Sequence, residues 1–89
     1  MTVAETIRQK LEDSLQPERL DVVDESHLHA GHASAPAGGE SHFRVTVVSE
    51  AFEGQSRVAR QRMIYKVLAE EMAGPIHALA ISATAPGEA

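Results

Sequence analysis

The stretch from Phe52 to His77, FEGQSRVARQRMIYKVLAEEMAGPIH, constrains the fold more than any other, because it joins a long amphipathic repeat to a stop signal. Met63, Ile64, Val67, Leu68 and Met72 recur at steps of three and four, so at about 3.6 residues per turn they share one face of a helix. Arg62, Lys66 and Glu70 fall on the opposite face. Such a helix must bury one side and wet the other. Ser56 is suited to the N-cap. Gly74-Pro75 closes the helix, since glycine tolerates a left-handed exit and proline disfavours helix in the residue before it. His77 therefore emerges just past a fixed stop, and the rest of the chain reads as packing for this helix or as a loop facing that histidine.

Taken in order, Thr2 with Glu5 forms a capping box, and Val3, Ile7, Leu11 and Leu15 follow at four-residue intervals as the apolar stripe of a first helix that Pro17 ends. Leu20 to Asp24 reads as a short strand from its β-branched, partly alternating pattern. Residues 25–41 are rich in His, Ala, Gly and Ser without apolar periodicity, which predicts a loop of unusual length for so small a chain. His42 to Val48 is the clearest strand: Phe43, Val45 and Val47 share one face, and His42, Arg44 and Thr46 the other. It should pair antiparallel with the first strand. Ile76 to Ala83 reads as a third strand.

The expected order is α-β-β-α-β, an α+β fold in which both helices cover one face of a three-stranded sheet. One domain spans residues 1–85, and residues 86–89 form a frayed end. Within that scheme His77 has the parity of Leu79 and Ile81, which would put it on the helix side at the strand's entrance.

At 89 residues the chain supports one domain with a thin core rather than a large substrate cavity. No apolar run approaches the roughly 18 residues of a membrane span, and Met1 leads into an acidic amphipathic segment unlike a secretory or transit signal. A cytoplasmic protein without membrane contact is the expectation. The absence of cysteine removes disulfides, thiolate nucleophiles and Cys-based metal cages, so any soft-metal chemistry must use histidine or a partner's thiolates. A net charge of −5 argues against a wholly basic surface. It leaves room for a local patch, because Arg57, Arg60, Arg62 and Lys66 place four of the eight basic residues within ten positions.

Chemistry-bearing residues are few. Four of the five histidines, His27, His29, His32 and His42, fall in or beside the loop, and imidazole suits zinc, copper and iron. For any one loop histidine, solvent exposure without function is the commoner outcome of such spacing. Ser41-His42 and Ser26-His27 contain the residue types of hydrolytic dyads, yet adjacent residues on a strand point to opposite faces. There is no Gly-rich phosphate loop, and Phe43, Phe52 and Tyr65 are the only aromatics available for stacking on bases. An enzyme is not expected.

Asp24-Glu25-Ser26, Gly39-Glu40-Ser41-His42-Phe43-Arg44-Val45, Phe52-Glu53-Gly54, Arg60-x-Arg62-x-Ile64-Tyr65, Leu68-Ala69-Glu70-Glu71 and Gly74-Pro75-Ile76-His77-Ala78-Leu79 together resemble the BolA family over nearly the whole chain. The resemblance implies a fold similar to a class II KH domain. It also implies partnership with a monothiol glutaredoxin around a shared [2Fe-2S] cluster, and in some bacterial members DNA binding as a transcriptional regulator. The cluster ligands it implies are His77 and a loop residue, cysteine in one branch of the family and histidine in the other. This cysteine-free chain resembles the histidine branch. His29 keeps the spacing from Asp24-Glu25-Ser26, with His32 the alternative, and the glutaredoxin and glutathione would provide thiolates. Two imidazoles facing two thiolates are similar to the Rieske pattern, which raises the cluster potential. Where the family usually has a histidine between the two helix arginines, this chain has Gln61.

The first expectation is therefore a monomeric adaptor that binds no cluster alone and shares one with a glutaredoxin. The alternative is a DNA-binding regulator that grips phosphates with Arg57, Arg60, Arg62 and Lys66.

Overall fold

A computed structural model of the chain describes residues 2–25 and 42–88. The loop histidines His27, His29 and His32 lie outside the described residues. Helix α1 spans Val3–Leu15, strand β1 Arg19–Asp24 and strand β2 His42–Val48. A 3-10 turn at Glu50–Phe52 leads to α2 (Arg57–Val67), α3 (Ala69–Ala73) and strand β3 (Ala78–Thr84).

The α1 cap forms as its sequence dictates, with Thr2 Oγ1 accepting from the Glu5 N–H at 3.1 Å. Ile7, Leu11 and Leu15 of the stripe are buried. At the other end Gln16 adopts a left-handed conformation (φ 45°) and donates its N–H to the Glu12 carbonyl, after which Pro17 forbids continuation.

The sheet has the order β1-β2-β3, with β1 antiparallel and β3 parallel to the central strand. Register puts Leu20 and Val22 opposite Val47 and Val45, and Leu79, Ile81 and Ala83 opposite Phe43, Val45 and Val47. All eight belong to the core or pack against it together with Ile7, Leu11, Ile64 and Leu68, so both helical layers cover this one face. The fold is α+β, a mixed three-stranded sheet backed by helices.

Three details depart from the sequence reading. The main helix is divided at Leu68 (φ −102°, ψ 22°) into α2 and α3, although hydrogen bonds from Leu68 N to Ile64 O and from Met72 N to Leu68 O carry the ladder across. The exit at Gly74 is not left-handed: φ is −114° and ψ −109°. Strand β3 begins at Ala78 rather than Ile76, because the Ile76 N–H is taken by the Glu71 carbonyl at 3.0 Å and its side chain is buried in the core. The turn before α2 needs Gly54, whose φ of +75° few other residues tolerate.

Two buried polar groups have no signature in the sequence. Ser49, 1% exposed, donates its hydroxyl to the Leu15 carbonyl at 2.6 Å and accepts from the Ala51 N–H, so it ties the end of α1 to the 3-10 turn. Glu71, 8% exposed, receives Lys10 Nζ on both carboxylate oxygens at 2.8 and 3.0 Å. Among the described residues no buried side-chain nitrogen or oxygen lacks a partner.

Candidate histidine site and basic helix

His77 is reached through a short constrained path. Gly74 N and Ile76 N both donate to the Glu71 carbonyl, at 3.2 and 3.0 Å, and the Ile76 side chain, 3% exposed, is fixed in the core. The next residue is His77, exposed and one position before the β3 ladder. Strand parity with Leu79 and Ile81 therefore does not govern it. Its ring instead neighbours that of His42, with centroids 6.0 Å apart and planes tilted by 53°. His42 begins β2 opposite Ala78 and has the parity opposite to that of buried Phe43.

This proximity bears on metal chemistry. A metal held by a ring nitrogen at about 2.0–2.1 Å lies roughly 3.2 Å from that ring's centroid, so two rings sharing one tetrahedral ion have centroids about 5.2 Å apart. The His42–His77 separation of 6.0 Å is wider than that, so shared ligation needs the two rings to close by a small side-chain rotation. Two imidazoles on one iron are also the donor set of the histidine side of a Rieske-type cluster. No group of three or more His, Cys, Asp or Glu that could hold a metal ion occurs among the described residues, so a complete shell needs donors from elsewhere. Sequence reasoning singles out His77 but does not pair it with His42, because that pairing depends on the parallel β2–β3 register between residues far apart in the chain. The loop candidates His29 and His32 lie outside the described residues.

The basic run on α2 divides into two kinds of cation. Arg57, Arg62 and Lys66 are exposed, and the helix itself, RVARQRMIYKV, contains no carboxylate. Arg60 is engaged inside the molecule: Nη1 and Nη2 contact the two carboxylate oxygens of Glu88 at 2.6 and 3.0 Å, Nε donates to the Gln55 carbonyl at 2.9 Å, and Nη1 reaches the Ala83 carbonyl at 3.3 Å. Its side chain is only 12% exposed. The end read as frayed is thus tied down as far as Glu88, which also accepts from the Ala85 N–H at 3.1 Å. Beside this clamp a groove of about 540 Å³ runs between α2 and β3, lined by Gln55, Arg57, Gln61 and Ser82 among others.

The Arg60 guanidinium, with help from the Ala85 N–H, holds the Glu88 carboxyl down at about 2, below its ordinary 4.5. A depressed carboxyl contributes stability that is present above the unfolded value and is lost as pH falls through the folded one. The melting-temperature difference between the wild type and Glu88→Gln should accordingly be largest near neutrality and shrink between pH 4.5 and about 2. A difference that stays constant over that range in thermal scans would show that the clamp contributes nothing through charge.

No helix among the described residues is long and apolar enough to cross a membrane. The family model for BolA-like proteins matches residues 11–88. BolA-like protein 1 of Mus musculus is 52% identical over 86 residues, which cover 97% of this chain and 60% of the mouse protein. The protein of Escherichia coli named DNA-binding transcriptional regulator BolA is 48% identical over 81 residues, covering 91% of this chain and 73% of that protein. Among solved structures, the BolA domain of SufE1 from Arabidopsis thaliana superposes with a TM-score of 0.86 at 45% identity, over 97% of this chain and 94% of that domain. With the α+β sheet and the helix stop before His77 in place, the family match and these identities make this chain a member of the BolA-like protein family.

Proposed function

We propose that the chain is an adaptor that partners a monothiol glutaredoxin and shares with it a [2Fe-2S] cluster, in iron-sulfur trafficking or redox regulation in the cytoplasm. The observation that carries this reading is the exposed His77 ring beside His42, two neighbouring imidazoles with centroids 6.0 Å apart in a chain without thiolates. His77 is the fixed donor, since a helix stop and a strand hold its backbone on either side. His42 is the imidazole next to it, and His29, with His32 as alternative, is the loop donor that the resemblance implies. The partner and glutathione supply the thiolates. No catalytic role is assigned, and the isolated chain is a monomer that holds no cluster.

The test is to mix the purified chain with a glutaredoxin, iron, sulfide and glutathione, and to compare the absorption and circular-dichroism spectra with those of the glutaredoxin alone. A new spectrum at one chain per cluster supports the reading. Unchanged spectra, or stoichiometric iron and sulfide on the isolated monomer, overturn it.

A second reading, a DNA-binding regulator, is favoured by the name carried by the Escherichia coli relative and by the exposed cations of α2. It would rest on Arg57, Arg62 and Lys66, because Arg60 is committed to Glu88. Binding through phosphates releases counterions, so affinity should fall with salt. Removing Arg62 and Lys66 together should reduce the slope of log affinity against log salt by about 2. A slope unchanged by that double substitution in fluorescence-anisotropy titrations contradicts this reading.

A further inference from the structure

Lys10 and Glu71 have no part in the ligand set, yet Glu71 shapes the turn that leads into His77. Glu71 is the one charged side chain among the described residues that is buried. Both of its carboxylate oxygens receive Lys10 Nζ, and its carbonyl receives the two N–H groups, Gly74 and Ile76, that shape the turn into His77. The same residue thus fixes the turn through its backbone and is itself fixed through its side chain. Packing between α1 and this turn is incomplete: a groove of about 250 Å³ lies there, lined by Val3, Thr6, Glu70, Glu71 and Pro75. The ion pair therefore adds a polar tether from α1 to α3 beside the apolar packing of Ile7, Met72 and Ile76 in the core. Glu70, at 3.9 Å from Lys10 and exposed, adds little.

We propose that Lys10 is a positioning residue for His77, acting through Glu71 to hold the imidazole beside His42, from where a small ring movement completes ligation. The inference rests on the reading of His77 as a ligand, and it concerns the metal-free chain as well as the complex. Groups that hydrogen-bond a ligand directly change metal affinity by about 10–100-fold when removed, and Lys10, acting one step further out, should fall at the lower end, about tenfold. α1, which carries no ligand, would thereby set the competence of a site at the other end of the chain.

The experiment compares the wild type with Lys10→Met, Lys10→Arg and the double variant Lys10→Met/Glu71→Met, which removes the pair without stranding a buried carboxylate. In the metal-free chain, the nuclear Overhauser contact between the His42 and His77 rings reports positioning directly. In the mixture with glutaredoxin, iron, sulfide and glutathione, the cluster spectrum reports ligation. Lys10→Met and the double variant should keep the core methyl shifts, lose the ring–ring contact and weaken the heterocomplex about tenfold. Lys10→Arg should restore both. If Lys10→Met fails to fold, the double variant alone decides: an undiminished ring–ring contact in it overturns the inference. A wild type that shows the ring contact but forms no heterocomplex overturns the functional reading instead. The loss or persistence of the ring contact in the Lys10 variants then still decides whether Lys10 positions His77.

Discussion

Replacing Phe52 by Ala should remove about 3–5 kcal/mol of folding stability. The ring is fully buried (0% exposed) at the end of the 3-10 turn and belongs to the same cluster as Ile7, Val45, Ile64 and Leu68. A domain of this size has a total stability on the order of 5–10 kcal/mol, and each kcal/mol is worth about 4–8 °C of melting temperature, so the variant should melt at least about 12 °C lower. Tyr65, 41% exposed on α2, is the matched control, and Tyr65→Ala should change stability by less than about 1 kcal/mol. Chemical denaturation followed by circular dichroism measures both. A Phe52→Ala loss below about 1 kcal/mol would mean that the 3-10 turn does not seal the core.

His77→Ala should have the opposite profile, with little change in folding and loss of the mixed-ligand spectrum in the heterocomplex. The side chain is exposed, so truncation leaves no cavity and stability should move by about 0.5 kcal/mol or less. The proposed ligand role is different, because no cysteine in the chain can replace a lost imidazole. His42→Ala should weaken the complex strongly through the second imidazole. If His29→Ala carries that second loss instead, the loop donor displaces His42, and His32→Ala should then have the smaller effect. Titration of each variant into cluster-loaded glutaredoxin, read by visible circular dichroism, separates these outcomes. An unchanged His77→Ala spectrum would remove His77 from the ligand set.

Much of this arrangement is legible in the sequence because it depends on local periodicity. Ile7, Leu11 and Leu15 are spaced for one helix face, Phe43, Val45 and Val47 for one strand face, and all six are buried. Ile64 and Leu68 are likewise legible as core, but the division of the helix at Leu68 is not, since the apolar spacing is the same on either side of it. The start of β3 is hidden because Ile76 is apolar in either role; its burial comes from the turn held by Glu71, not from the ladder. Lys10–Glu71 and Arg60–Glu88 join residues distant in the chain, so only tertiary packing reveals them. The same holds for the site. The placement of His77 beyond a helix stop follows from Gly74-Pro75, whereas its approach to His42 needs the parallel register of β2 and β3.

Histidine ligation across the heterocomplex is the central claim, and selective isotope labelling tests it most directly. The chain would be produced with nitrogen-15 histidine, mixed with unlabelled glutaredoxin, glutathione, iron and sulfide, reduced, and examined by pulsed electron paramagnetic resonance. The account predicts nitrogen-15 hyperfine couplings from directly bound imidazole of this chain, diminished in the His77→Ala variant. A reduced cluster with no nitrogen-15 coupling, matching that of the glutaredoxin alone, would contradict it.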